Sequence, residues 1–462
     1  DSVYKGSKAE GTEVSKAVAA GTGGSWTSSD TEPALKEGQY TAIATQPSSL
    51  KNTEGKSAPV TFEVDTAAPS VTLNQPTSPS NYTTPSFTGT ASEVTQVTVH
   101  IYAGTKATGT PVSSATATPL GGNWTSGKAS PALASGTYTA TATQASAIGN
   151  EAGTSAPVTF TVETAPPKVT LNAPKSPSND TTPSFSGTAS DTTVVVVHIY
   201  NSEKKEVSSA TATPHSGGWV SGNAAPALPS GMNTYTAVAT QPSSLGNAEG
   251  KSTAVSFIVD TTSPVLTITS PTNESTSKNQ TPTFSGTASG AEPIDTTKPI
   301  DIKIYEGPLA EHRLVSTATA TVAGGKWTST DASPALAAEL HKYTAVATEE
   351  SPLGNPPGTS EVSFTVDTLP PVVTLETPPT PSNNRTPSFA GTASDTTTVT
   401  IQIYQGTKAE GTIIAMATAA GTGGAWKSGS ATPALPNAKH TYTASAIQPS
   451  SLGNPTGKST PP

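Results

Sequence analysis

Four acidic residues recur at one kind of place in this 462-residue chain: Asp65, Glu163, Asp260 and Asp367, each followed by Thr and, within a few residues, by proline. A second acid recurs more loosely as Glu93, Asp191 and Asp395, with Gly290 in the corresponding place of one copy. Recurring carboxylates are the raw material of a calcium site, which needs about six to eight oxygen ligands. Two acids per place are few for that purpose unless backbone carbonyls and water complete the shell. The plainer reading is an acid that caps a linker, and calcium is the one cofactor the pattern allows. Asn-x-Thr recurs at Asn81, Asn179, Asn279 and Asn384, at what read as equivalent positions just before a proline. They are candidate glycan acceptors, or asparagine-led turns that open a strand.

Other chemistry is poorly supplied. The chain has no cysteine, which removes disulfides, thiolate metal sites and thiol nucleophiles. His100 and His198 share an outward strand position that later copies fill with Lys303 and Gln402. No Gly-x-Ser-x-Gly elbow occurs, and no lysine recurs on an inward face as a Lys–Asn isopeptide would need. A formal net charge of −9 with no basic stripe speaks against nucleic acid. No apolar run reaches the roughly 18 residues of a membrane span. Near-copies of one constellation also argue against an enzyme, which needs a single site.

The elements that must position these residues are strands. The chain holds 42 Pro, 39 Gly, 82 Thr and 57 Ser, with only 12% charged residues, a composition poor in helix formers. A Gly-Gly-(x)-Trp element recurs at Trp26, Trp124, Trp219, Trp327 and Trp426, and a strand beginning at Tyr40, Tyr138, Tyr235, Tyr343 or Tyr442 follows each. The tyrosines are 98, 97, 108 and 99 residues apart, the size of one sandwich domain. Alternation puts Val97, Val99 and Ile101 on one face, as it does Val195, Val197 and Ile199. Seven short strands are predicted per full unit, starting in the second near Val71, Phe87, Val97, Val112, Asn123, Tyr138 and Val158. The Leu-x-x-Gly-x-Tyr pattern at Tyr40 and Tyr138 looks like a tyrosine corner; later units place two more residues between Leu and Tyr. The tryptophans and tyrosines are expected in the cores, leaving Tyr102, Tyr200, Tyr305 and Tyr404 as outward aromatics.

The expected architecture is all-β, a tandem array of Greek-key sandwiches divided as 1–65 (partial, first strands missing), 66–163, 164–260, 261–367 and 368–462 (last strand missing). Short proline-bearing linkers predict stiff junctions. At ~3.3 Å per strand residue, each unit should be roughly 35–45 Å long and the chain roughly 150–200 Å. Asp1 aligns with Val99, inside a strand, so the first unit lacks counterparts of Thr66–Thr98; the chain reads as a window on a longer array.

The run Asp-Thr-x-x-Pro-x-Val-Thr-Leu, Thr-Pro-Ser-Phe-Ser-Gly-Thr-Ala-Ser, Val-x-Ile-Tyr, Gly-Gly-x-Trp, Gly-Thr-Tyr-Thr-Ala and Val-Thr-Phe-Thr-Val-Asp resembles the tandem bacterial immunoglobulin-like (Ig-like) repeats of large surface adhesins, biofilm-associated proteins and extracellular fibres. The resemblance covers essentially the whole chain. It implies an Ig-like fold, an exported cell-surface or extracellular protein, and a stalk or filament role for these units. It also implies partners that are further Ig-like units or further copies of the chain. Some relatives bind calcium at junctions through dense Asp clusters; here each junction carries one acid and then proline. Alternative roles are an adhesive array for a glycan or host receptor, and the non-catalytic array of a secreted polysaccharide-degrading enzyme.

Two finer expectations concern loops. Phe284 to Tyr305 is 21 residues against 15 for Phe87 to Tyr102, so a protruding loop is expected within Gly290–Pro299. Units one, three and five carry Gln-Pro-Ser-Ser-Leu at Gln46–Leu50, Gln241–Leu245 and Gln448–Leu452, whereas units two and four differ. If copies assemble into a filament, the odd-unit loops should lie nearer the contacts.

Overall fold

The computed structural model describes residues 1–20, 23–289, 298–307 and 313–461. Among them every regular element is a β-strand. The second unit shows the plan. Its larger sheet runs Ser113–Ala117, Val97–Ala103, Gly136–Gln144, Val158–Val162, with every neighbour antiparallel. Facing it, Thr88–Thr90 pairs with Asn123–Thr125. The third unit repeats this with Glu206–Ala212, Val195–Tyr200, Met232–Gln241 and Val255–Asp260, opposite Ser186–Thr188 and Gly218–Val220. In the fourth, a longer strand, Leu314–Ala323, pairs with Ile300–Glu306 and also with Lys326–Ser329, joining both sheets into one. The result is a series of two-layer sandwiches.

The strand expected from Val71 is reduced to a single bridge with Ala91, and Ser80 makes a parallel bridge to Val162. Pro69, Pro76 and Pro79 interrupt this stretch, and proline has no N–H for a ladder. The loop expected within Gly290–Pro299 lies, except for Lys298 and Pro299, outside the described residues.

Period-two alternation decides the core. Val97, Val99, Ile101, Ala140 and Ala142 are buried between the layers with Phe87, Phe160 and Trp124. Phe87 meets Phe160 edge-on at 5.7 Å, and Phe185–Phe257 and Phe284–Phe364 repeat the pair at 5.7 and 5.8 Å. Such edge-to-face pairs are favourable beyond their buried area. Trp124 Nε1 donates to Thr90 O, and Trp219 Nε1 to Thr188 O, both at 3.1 Å. Trp327 and Trp426 are also buried, but their indole N–H groups have no partner. Beneath each of these four indoles lies a glycine: Gly89, Gly187, Gly286 or Gly391.

Trp26 departs from the expectation of a core tryptophan, being 53% exposed. In the second unit the strand around Phe87 and Gly89 covers the indole. Among the described residues, no strand of the first unit pairs across Trp26 as Thr88–Thr90 does with the strand of Trp124. Tyr404 is the other departure: expected outward, it is buried and its hydroxyl donates to Gln402 Oε1 at 2.8 Å.

Candidate functional site

The residues singled out for chemistry converge on the junctions. Asp65 Oδ1 accepts the Ala67 N–H, Glu163 Oε1 the Ala165 N–H, Asp260 Oδ1 the Thr262 N–H and Asp367 Oδ1 the Leu369 N–H, each at 2.9 Å. Asp260 Oδ1 also accepts the Thr262 hydroxyl at 2.6 Å. These are turn-capping bonds two residues ahead, the local chemistry that short acidic side chains favour. Among the described residues, no group of three or more His, Cys, Asp or Glu is arranged to hold a metal ion. The junction acids therefore stand apart, each engaged with its own linker.

An asparagine grips the same linker from the other side. Asn150 Nδ2 donates to Asp65 O and Ala67 O at 3.3 and 2.8 Å. Asn247 does so to Glu163 O and Ala165 O at 2.9 and 3.1 Å, and Asn355 to Asp260 O and Thr262 O, both at 2.9 Å. Asn454 completes the series on Asp367 O and Leu369 O at 2.9 and 3.0 Å. Each asparagine ends an Ile-Gly-Asn or Leu-Gly-Asn turn 82 to 95 residues further along the chain. A third contact seats the proline: a Cβ on Gly153, Gly250, Gly358 or Gly457 would fall 1.8–2.3 Å from the carbonyl oxygen of Pro69, Pro167, Pro264 or Pro371. Only a residue without a Cβ permits that approach. Gly250→Ala should accordingly unseat the linker at Pro167 and cost about 1–3 kcal/mol through overpacking. Faster hydrogen exchange at Thr164–Lys168, with the strand Val195–Tyr200 still protected, would be the sign of it.

A glutamine that sequence reasoning gave no role sits just behind this turn in three units. Gln144, Gln241 and Gln448 are fully buried. Gln144 Nε2 donates to Glu93 O and Thr95 O at 2.8 and 3.0 Å, Gln241 Nε2 to Asp191 O and Thr193 O at 2.9 and 3.0 Å, and Gln448 Nε2 to Asp395 O and Thr397 O at 2.7 and 3.0 Å. The second set of acids completes the same corner. Asp191 Oδ2 accepts from the Ser244 N–H and hydroxyl at 2.8 and 2.9 Å, Asp395 Oδ2 from those of Ser451 at 2.8 and 2.9 Å, and Glu93 from the Ala147 N–H at 2.6 Å. The Ser-Ser-Leu loops of the third and fifth units, and the Ala147 loop of the second, are thereby pinned inside their own sandwiches.

Desolvation raises the pKa of Asp191, but the bonds from Ser244, Thr192 and Thr193 outweigh it, and the carboxyl ends below its ordinary value. Asp395 is lowered by the same balance, with Ser451, Thr397 and Thr396 as donors. A depressed folded pKa adds stability that is complete above the unfolded value, about 4, and is lost as pH falls through the folded one. Amide exchange at Ser243–Leu245 should therefore rise on acidification below about pH 4. In Asp191→Asn that acid dependence should be absent.

The Asn-x-Thr sites at Asn81, Asn179, Asn279 and Asn384 are not equivalent. Counted back from Pro85, Pro183, Pro282 and Pro387, Asn81 and Asn179 share a position with Lys278 and Asn383, whereas Asn279 and Asn384 share one with Tyr82 and Asp180. Asn279 and Asn384 use Oδ1 to accept the N–H of Thr281 and Thr386 at 3.0 and 2.9 Å, as Asp180 does for Thr182 at 2.8 Å. The Asn81 and Asn179 amides instead reach toward the following unit.

The tyrosines divide in a similar way. Tyr40 and Tyr138 donate to Lys36 O and Ala134 O at 2.8 and 2.9 Å, closing a corner four residues back. With two more residues before it, Tyr343 accepts the Ala337 N–H at 3.1 Å, and the half-buried Tyr442 hydroxyl has no partner. Tyr235 is buried, and desolvation raises its phenol pKa.

No curated protein matches this chain. Among solved structures, a tetra-tandem repeat from the extending region of a large adhesion protein is 22% identical, covering 85% of this chain and 97% of its own, with a TM-score of 0.34. A fragment of the titin I-band is 13% identical over 65% of this chain and 98% of its own, with a TM-score of 0.29. The model of the bacterial Ig-like domain family matches residues 77–164 and again 175–261. The two-sheet plan agrees with that double match: the chain is an all-β array of tandem Ig-like sandwiches, with the bacterial Ig-like domain model matched in its second and third units.

Proposed function

We propose that this chain is a non-enzymatic structural segment of an exported bacterial surface protein, a stalk or filament in which tandem Ig-like units span distance. Its units are divided at Asp65, Glu163, Asp260 and Asp367. The observation that carries the reading is the fourfold recurrence of one linker clamp, acid on one side and asparagine on the other. A chain whose recurrent polar groups are spent on its own junctions is built to transmit position. The adhesive alternative has less support, because Tyr102 and Tyr200 are half-buried and Tyr404 is buried.

Small-angle scattering from the full chain should give a maximum dimension of roughly 150–200 Å, the length of units laid end to end. A compact particle of half that length would defeat the spacer reading. Saturable binding on a glycan array, lost in Tyr200→Ala, would replace it with the adhesive one.

A further inference from the structure

The Leu-Gly-Asn turn has a second face. On one side its asparagine holds its own linker; on the other, three of these turns meet the preceding unit. A Cβ on Gly246 would lie 3.6 Å from Asn81 Nδ2, and one on Gly354 would lie 3.6 Å from Asn179 Nδ2. At the next junction Lys278 takes the place of asparagine, and its Nζ donates to Gly453 O at 2.9 Å. We infer that this turn is the joint of the array, a docking surface for an N–H-bearing side chain on the preceding unit.

The second unit offers a comparison. Among the described residues, no side chain approaches its turn, Ile148-Gly149-Asn150, as Asn81 approaches Gly246. A Cβ on Gly149 meets nothing within 4 Å, and Ile148 is 63% exposed. Leu50, in the corresponding place of the first unit, is 80% exposed. Where a preceding turn is present, Leu245, Leu353 and Leu452 are all half-buried. The apolar residue and the bare glycine are thus covered together or exposed together. Gly246, Gly354 and Gly453 have φ of +77°, +83° and +75°, a conformation that favours glycine and keeps the docking face free of side chains. Leu353 is as covered in an even unit as Leu245 and Leu452 are in odd ones, so occupancy of the joint, and not odd or even position, decides this loop's exposure.

The joint separates the glycosylation sites. A sugar on Asn81 or Asn179 Nδ2 would wedge consecutive units apart, whereas Asn279 and Asn384 stand one position away from the docking residue.

The purpose of such a joint rests on the spacer reading, but its geometry does not. Since the chain has no cysteine, spin labels can be placed on the full-length protein at Thr116→Cys and Thr211→Cys, exposed strand positions of the second and third units. Pulsed electron paramagnetic resonance should give one narrow distance distribution. Combining Asn81→Asp with Leu245→Asp should widen it at least about twofold, since relative motion is the default for domains without a firm interface. Asn81→Ala, which leaves the third unit untouched, should widen it in the same sense. Ile148→Asp, in the uncovered turn, should leave it unchanged. Hydrogen exchange on each variant verifies that the sandwiches stay folded. A broad parent distribution, or unchanged width in the folded Asn81 variants, would overturn the joint and leave the spacer reading to the scattering measurement. Glycan binding with a narrow distribution would overturn the spacer reading and leave the joint standing.

Discussion

Gly187→Ala is expected to open the third sandwich. A Cβ at this position would fall 2.0 Å from Thr170 O and 2.7 Å from Trp219 Cζ2. One neighbour is backbone in the adjoining segment, and the other is the largest side chain of the core. Neither can yield a full ångström without breaking the bonds between Thr170 and Thr188 or expelling the indole. Ordinary overpacking costs about 1–3 kcal/mol; a clash with backbone on one side and indole on the other should exceed about 3 kcal/mol. Peptide-resolved hydrogen exchange is the suitable readout, because it assigns the loss to one unit. Val195–Tyr200 and Met232–Gln241 should lose protection, while Val97–Ala103 in the second unit should keep it. Full protection in the third unit would show that the strand pair can spread to admit a methyl group.

Trp124→Ala is the complementary change, a cavity in place of a clash. The indole is buried against Gly89 and donates to Thr90 O. Its removal takes the largest side chain out of a core whose other large members are Phe87, Phe160, Tyr138, Ile101 and Leu133. The cost should be about 3–5 kcal/mol. Tyr82→Ala should cost less than about 1 kcal/mol, because that ring is already mostly in water. Chemical denaturation of each variant followed by circular dichroism separates the two. Equal losses would mean that the burial of Trp124 is not what holds its unit together.

Much of this fold is written in short-range pattern. Val97, Val99 and Ile101 alternate with Thr98 and His100, and the Gly-Gly-(x)-Trp element marks every repeat, so strands and unit length follow from spacing alone. The glycine under each tryptophan was equally visible, two residues after Phe87, Phe185, Phe284 and Phe389, but its reason is a contact across the sandwich. Gln144 left a subtler trace: in Tyr138, Ala140, Ala142, Gln144 it falls on the inward parity, where a polar residue needs a partner. The offset of the Asn-x-Thr sites depends on counting from the following proline, and the triplet itself hides it. The linker clamp lay beyond local pattern, since its two halves are separated by more than 80 residues.

That separation has a consequence for how the protein is made. Glu163 O leaves the ribosome 84 residues ahead of Asn247, the side chain that holds it. At about 5–20 residues per second, the linker waits roughly 4–17 s before it is seated. The unit before it has meanwhile emerged whole and can close its own core. Each linker is thus clamped only after nearly all the strands of the following unit have emerged, so the clamp closes as that unit folds and not before.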